Sequence, residues 1–303
     1  MPTENCPNLF IVGAQKAGTS ALAGWLSQHP QVYISFPKEP GFLAFGTDGY
    51  TFSDGYGNAA PASRYVVRDH DSYLALFAGA HAEHRIIGEA STWYLSIPGT
   101  AQKLQDYNPR ARIILVLRNP VERAYSAWCH ARGDRLEPCE SFADALALEE
   151  QRGEVEFLLR YRRMGLYAQA LEEYLDAFGT GQVLVMFHDD MRGDPVTFWE
   201  QVCDFLQIDA SAEPPFNFRY NRAGEPRSRL LQRLLRSHRV KQTVRRLLPH
   251  RVSLSIKNRL DDANLRDFPP MDNAVRDELR DYYRDDIRRL AALTDRNLEA
   301  WLR

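Results

Sequence analysis

Four consecutive apolar residues, Leu9-Phe10-Ile11-Val12, run without a spacer into Gly13-Ala14-Gln15-Lys16-Ala17-Gly18-Thr19-Ser20. A short continuous apolar run closed by glycine fits a strand buried on both faces, as in a parallel sheet. Ala21-Leu22-Ala23-Gly24-Trp25-Leu26 follows at helical spacing until His29-Pro30. Strand, tight loop and helix in that order aim backbone N–H groups and the positive end of a helix at an anion. Gly13 and Gly18 let the backbone come close to it.

The spacing of Gly13 and Gly18 is that of the nucleotide-triphosphate P-loop, G-x-x-x-x-G-K-[ST], but Thr19 stands where that motif has lysine. The lysine has moved inside the loop, to Lys16. It can still reach an oxygen that bridges a 5′-phosphate to its neighbour, whereas a hydroxyl in register with a following lysine, the usual Mg²⁺ ligand, is no longer placed in the same way. A phosphate site without metal is therefore expected. On the loop alone, a glycine-rich turn with a solvated lysine is an equal reading.

A second segment shifts that balance. Arg112-Ile113-Ile114-Leu115-Val116-Leu117 reads as another buried strand and ends directly at Arg118-Asn119-Pro120. Ligands of open parallel sheets bind at the carboxyl edge, so Arg118 and the Gly13-to-Ser20 loop are expected to face one crevice. Pro120 suits the first position of a helix, which places Ser126 about two turns in. A guanidinium fork and a hydroxyl are both phosphate ligands. A strand-capping arginine and a helix-interior serine are common when each occurs alone.

The pair Gly13-to-Leu22 (GAQKAGTSAL) and Leu117-to-Ser126 (LRNPVERAYS) resembles the two nucleotide signatures of sulfotransferases that use 3′-phosphoadenosine 5′-phosphosulfate (PAPS). Three further segments resemble the heparan-sulfate sulfotransferase-like branch and its bacterial relatives in the same order. They are Pro37-Lys38-Glu39-Pro40-Gly41-Phe42, Gly88-Glu89-Ala90-Ser91-Thr92-Trp93-Tyr94, and the block from Gly165-Leu166-Tyr167 through Gln182-to-Met186 to Phe205-Leu206. The likeness covers most of residues 8 to 230.

The resemblance implies that Gln15, Lys16, Ala17, Gly18, Thr19 and Ser20 hold the phosphosulfate and that Arg118 and Ser126 hold the 3′-phosphate. It also implies sulfuryl transfer to an acceptor hydroxyl, leaving PAP (3′,5′-adenosine bisphosphate). The leaving group is a phosphate, so a cation beside the bridging oxygen stabilises charge that develops in the transition state, and Lys16 is the candidate. For the base that receives the hydroxyl proton, the resemblance points to Glu39. Without it, Lys38-Glu39 reads as an exposed charged turn before proline. His130, four positions beyond Ser126, and Glu89, at the end of the apolar pair Ile86-Ile87, are rivals. Lys38 and Glu89 are expected to contact substrate. Where eukaryotic members carry a late lysine-glycine loop, this chain has Tyr220-to-Arg229, with Arg227 as the expected replacement cation and Arg222 and Arg229 as alternatives.

The 303 residues, 44% hydrophobic and 26% charged, suffice for a large core. The expected fold is a single α/β domain over 1–303, with a P-loop-like parallel sheet of about five strands flanked by helices on both faces. Its core would span 8–210, with a basic cofactor and substrate loop and C-terminal helices in 211–303. Strands are expected at Leu9 to Val12, Val32-Tyr33, Arg85 to Gly88, Arg112 to Leu117 and Gln182 to Phe187. Helical patterns cover Tyr167 to Phe178 and Pro195 to Leu206, and 46–62 reads as a substrate lid. Asp277 to Trp301, broken near Thr294-Asp295, reads as two helices packed back on the domain.

Cys6, Cys129, Cys139 and Cys203 form no C-x-x-C pair, so neither zinc nor a redox dithiol is expected. The start has no basic segment followed by an apolar stretch, and no run reaches membrane-spanning length, which points to the cytoplasm. The net charge of −2 is unevenly spread: 219–259 carries thirteen Lys or Arg against one acid, Glu225, leaving 25 basic and 39 acidic residues elsewhere. Such a block suits an anionic acceptor, a carrier protein or a membrane surface. Leu230, Leu231, Leu234 and Leu235 equally describe an amphipathic helix with solvated arginines. The expected partner is a small-molecule or carbohydrate acceptor, with no nucleic acid. A P-loop small-molecule kinase and a non-catalytic nucleotide or sulfated-glycan binding module are the alternatives.

Overall fold

A computed structural model describes residues 6–46, 52–60, 66–216, 225–226, 265–266 and 268–303. Five parallel strands form the central sheet: β1 (Leu9–Gly13), β2 (Val32–Ile34), β3 (Ile86–Ala90), β4 (Arg112–Leu117) and β5 (Val183–Phe187). Their order is β2-β3-β1-β4-β5. β1, flanked by β3 and β4, is buried along its whole length, which is why Leu9 to Val12 shows no alternation. All five expected strands are present. β3 runs two residues beyond the expected end at Gly88, to Ala90.

The connections fix where a ligand sits. From β1 the chain crosses through α1 (Thr19–Leu26) towards the β2 edge. From β3 it returns through α4 (Thr100–Tyr107) to β4, and from β4 through α5 (Pro120–Asp134), α6 (Phe142–Ala147) and α7 (Ala168–Phe178) to β5. Two short helices, α2 (Phe42–Phe45) and α3 (His70–Ala75), lie between β2 and β3. Right-handed crossovers in opposite directions put α1 on one face and α4 and α7 on the other. The paths leaving β1 and β4 diverge, so the crevice of this doubly wound sheet opens between the carboxyl ends of those two strands. Lys16 follows one and Arg118 the other.

α8 (His188–Gly193) and α9 (Pro195–Leu206) follow β5, and α9 meets α1 through Trp25 and Phe198, whose rings are 6.1 Å apart and nearly perpendicular. The last long helix, α10 (Asn273–Thr294), packs on α5 and α7. Its Val275, Leu279, Tyr283, Ile287 and Leu290 are buried at spacings of three and four, and join the core built on the sheet. Asp295, with φ 48°, ends α10, and a 3₁₀ turn, Glu299–Leu302, follows. The break expected at Thr294-Asp295 is there.

A second apolar cluster of Phe52, Ala60, Val66, Trp93, Phe157 and Met164 lies under the segment expected to be a lid. The described part of that segment, 52–60, turns about Asp54, whose carboxylate accepts from the amides of Tyr56 and Asn58. It is anchored by Phe52, which is fully buried, and by the Gly55 amide on the Leu136 carbonyl. No helix among the described residues is long and apolar enough to cross a membrane. Residues 227–264, which carry Arg227 and most of the basic block, lie outside the described residues, as does Arg222.

Candidate active site

Four backbone bonds knit the loops at the carboxyl edge together. The Ala14 amide donates to the Val116 carbonyl at 2.7 Å, Leu95 to Val12 at 2.9 Å, Ser91 to Ile11 at 3.1 Å and Glu39 to Ala90 at 2.9 Å. A Cβ on Gly13 would lie 2.6 Å from Leu95 Cβ, so this crossing of two chains requires glycine. Gly18 has φ 103°, a left-handed conformation that turns the chain into α1. Between them the loop presents an anion cradle. Among the described residues, no acceptor binds the amides of Gln15, Lys16, Gly18, Thr19 or Ser20, as at any helix start without a side-chain cap. The buried Gln15 Oε1 likewise lacks a partner.

Lys16 is half-buried at the centre of this cradle. Burial lowers its ammonium to about 8; the Asp134 carboxylate opposes the fall, and Arg118 and Lys38 add to it. Lysine with so weak a hold on its proton gains from an arriving anion. Arg118 reaches across from β4, its Nη1 donating to the Lys16 carbonyl at 3.1 Å. Its own backbone carbonyl accepts from the Tyr167 hydroxyl at 3.0 Å. Burial pulls the Arg118 guanidinium below its usual value, with Glu122, Tyr167 and Asp189 opposing and Arg192 reinforcing.

Glu39 and Lys38 lie against the cradle. Lys38 Nζ donates to Thr19 Oγ1 at 3.1 Å and to Glu39 Oε1 at 2.6 Å. The Thr92 amide donates to Glu39 Oε2 at 2.7 Å, and the Thr92 hydroxyl lies 3.1 and 3.2 Å from the two carboxylate oxygens. The Glu39 side chain keeps 23% exposure, so one side of the carboxylate still faces out. Five described non-glycine residues have positive φ. Arg135, Gln207 and Asp295 sit at helix C-caps, where that conformation is ordinary. The other two are Lys16, at 67°, and Glu39, at 66°. Among the described residues, a left-handed non-glycine backbone outside a helix C-cap thus occurs only at Lys16 and Glu39, both at this edge of the sheet.

The remaining expected residues fall into three places. Ser126 is half-buried on α5, one turn beyond Glu122 and on the same face. Glu122 forms an ion pair with Arg276 of α10. His130 lies further along α5, with Nε2 3.9 Å from Asp134 Oδ2, and Asp134 is the acid that acts most on Lys16. Glu89 requires a correction. The sequence placed it at a strand end, open to substrate. Because β3 continues to Ala90, Glu89 is fully buried, and it accepts from the hydroxyls of Tyr73 at 2.7 Å, Tyr94 at 2.6 Å and Ser91 at 2.7 Å. Ser91 Oγ also accepts from the Gly41 amide. Glu89 therefore supports the 39–45 turn from below, with its carboxylate closed off from solvent. Burial drives it up to about 7 despite its three hydroxyl bonds.

Sequence reasoning also missed several residues. Thr92 and Tyr167 lie in segments that were singled out, but nothing local marks a threonine that will hold a carboxylate 53 positions earlier. α8 supplies the wall beside Gly18, where Met191 Sδ is 2.9 Å and His188 Cδ2 3.4 Å from where a Cβ would stand. The only available signal was that β5 ends at Phe187, in register with Leu117 and hence beside Arg118.

Comparison with known proteins agrees with this geometry. Residues 7–212, which hold every described site residue, match the model of the sulfotransferase family. The solved sulfotransferase of Alicyclobacillus acidocaldarius is similar over 98% of this chain and 99% of its own, with 35% identity and a TM-score of 0.75. A mouse bifunctional heparan sulfate N-deacetylase/N-sulfotransferase 4 is 26% identical over 319 residues, and human bifunctional heparan sulfate N-deacetylase/N-sulfotransferase 2 is 29% identical over 210. These alignments take in 99% and 68% of this chain but only 31% and 22% of the relatives, so the chain spans about a third of their length or less. A cradle with its lysine inside the loop, an arginine across the sheet edge and a match over two thirds of the sequence converge, and the chain belongs to the sulfotransferase family.

Proposed function

We propose that this chain transfers a sulfuryl group from PAPS to a hydroxyl of a carbohydrate or small-molecule acceptor. The observation that carries this reading is the Arg118-to-Lys16 bond, which joins two cations at the divergence of β1 and β4 and suits a ligand with two separated anionic groups. The residues fit the donor: the unpartnered backbone amides of Gln15, Lys16, Gly18, Thr19 and Ser20 offer the hydrogen-bond donors that a phosphosulfate needs. Ala17, whose amide bonds the Ala14 carbonyl, serves the loop's shape.

Bound PAPS supplies an activated sulfur whose leaving group is the 5′-phosphate of PAP. Lys16 places its ammonium where negative charge builds as the bridging bond opens. Glu39 takes the proton of the attacking hydroxyl, and Lys38 keeps that carboxylate beside Thr19. Arg118, with Ser126, grips the 3′-phosphate and fixes the donor in line. Arg227, in a segment outside the described residues, completes the cation set, and an acceptor delivered by a carrier protein would meet the basic block there.

Calorimetric titration with PAP and with 5′-AMP, both in excess chelator, tests the reading. A charge-assisted bond to Arg118 contributes about 1.5–3 kcal/mol, so PAP should bind roughly 10- to 100-fold more tightly than 5′-AMP. Equal affinity, or no PAP binding, would overturn it.

A further inference from the structure

The first turn of α7 is capped from another helix. Tyr167, at the N-cap of α7, makes no capping bond with its own side chain. Instead Asp286 of α10 accepts from the Tyr167 amide at 2.9 Å through Oδ2 and from the Ala168 amide at 3.1 Å through Oδ1. A carboxylate at a helix N-terminus is favourable both as acceptor and as charge. It also fixes the Tyr167 backbone, and with it a ring that is 1% exposed and whose hydroxyl donates to the Arg118 carbonyl. From Arg118 the line continues to the Lys16 carbonyl.

α10 is well anchored for such a task. The Tyr283 hydroxyl donates to the Arg162 carbonyl at 2.9 Å, and Arg289 and Arg276 pair with Glu172 of α7 and Glu122 of α5. α10 lies beyond residue 212, outside the segment that matches the family model. We infer that Asp286 and Tyr167 are positioning residues through which the C-terminal helix holds Arg118 at the angle that selects a 3′-phosphorylated nucleotide. Neither residue touches the donor. The inference rests on the reading of Arg118 as the 3′-phosphate ligand.

The test is the ratio of PAP to 5′-AMP affinity, measured by calorimetry alongside the melting temperature, for Arg118→Ala, Tyr167→Phe and Asp286→Asn. Arg118→Ala should lose most of the selectivity and set the scale. Tyr167→Phe, which deletes one oxygen, should weaken PAP about five- to tenfold and leave 5′-AMP within about twofold; Asp286→Asn should move the ratio the same way by less. If Arg118→Ala loses selectivity but Tyr167→Phe keeps it, or weakens both nucleotides equally, the positioning role is overturned and the proposed function stands. Selectivity lost in Tyr167→Phe but kept in Asp286→Asn, even with a lower melting temperature, overturns the role of Asp286. Selectivity retained by Arg118→Ala overturns the reading of Arg118 itself.

Discussion

Arg118 Nη1 donates to the Lys16 carbonyl at 3.1 Å although 102 positions separate the two residues. The bond holds the loop after β1 and the strand end after β4 as one cationic unit. It leaves the Lys16 ammonium free to meet a ligand, because the backbone and not the side chain makes the contact.

That unit gives donor binding a defined pH dependence. Lys16 is lowered to about 8 in the free protein, and a bound phosphate would favour its charged form. Below about pH 8 the ammonium is already charged and contributes no pH dependence. Above it, binding must take up a proton, so PAP affinity should fall by up to about tenfold per pH unit. Calorimetry at pH 9 in buffers of different ionisation enthalpy should show uptake approaching one proton, absent in Lys16→Met. Affinity that is flat from pH 7 to 9.5 would refute this.

Glu39→Gln separates chemistry from binding. The amide keeps an oxygen for the Thr92 donors but cannot accept the hydroxyl proton, so turnover should drop about 10²- to 10⁴-fold while PAP affinity changes less than about threefold. His130→Ala should cost less than about threefold in turnover. Initial-rate kinetics with labelled donor decide between them, and the reverse ranking would make His130 the base.

Glu89 predicts a stability profile. Its folded pKa of about 7 lies above the ordinary 4.5, so its contribution is fully present below about pH 4.5 and is lost as pH rises through about 7. Glu89→Gln has no such proton to lose. Between pH 5 and 8 the stability of the variant relative to wild type should improve by about 2–3 kcal/mol, whatever offset the amide introduces. Urea unfolding across that range measures it; a constant difference would show that Glu89 is ionised at little cost.

Gly18→Ala tests the cradle. At φ 103°, alanine is strained by about 1–3 kcal/mol, and its methyl would meet Met191 Sδ at 2.9 Å. The thioether can yield, so the backbone sets most of the cost. Melting should occur several degrees lower, with weaker PAP binding, both read by thermal shift with and without ligand. Unchanged melting and binding would mean that the loop tolerates another conformation.

What was legible in the sequence follows the range of the interactions. β1 and β4 are continuous apolar runs with glycine or arginine at the end, so strand, loop and ligand edge were all local signals. Pro120 and Asp194 with Pro195 mark helix starts for the same reason. Glu89 was misplaced because one more strand residue turns an edge carboxylate into an interior one, and only the hydroxyls of Tyr73, Tyr94 and Ser91 make that burial tolerable. Asp286 was invisible because its partners lie 118 and 119 positions away.

The central claim is that Lys16 stabilises a departing phosphate. Its most direct test is a single-turnover reaction with ³⁵S-labelled PAPS and a mixed panel of sugar, glycan and phenolic acceptors, following labelled product and PAP together for wild type and Lys16→Ala. Wild type should form PAP and labelled acceptor in equal amounts, and Lys16→Ala should slow both by about 10²- to 10³-fold at saturating donor. A Lys16→Ala rate within threefold of wild type would contradict the account.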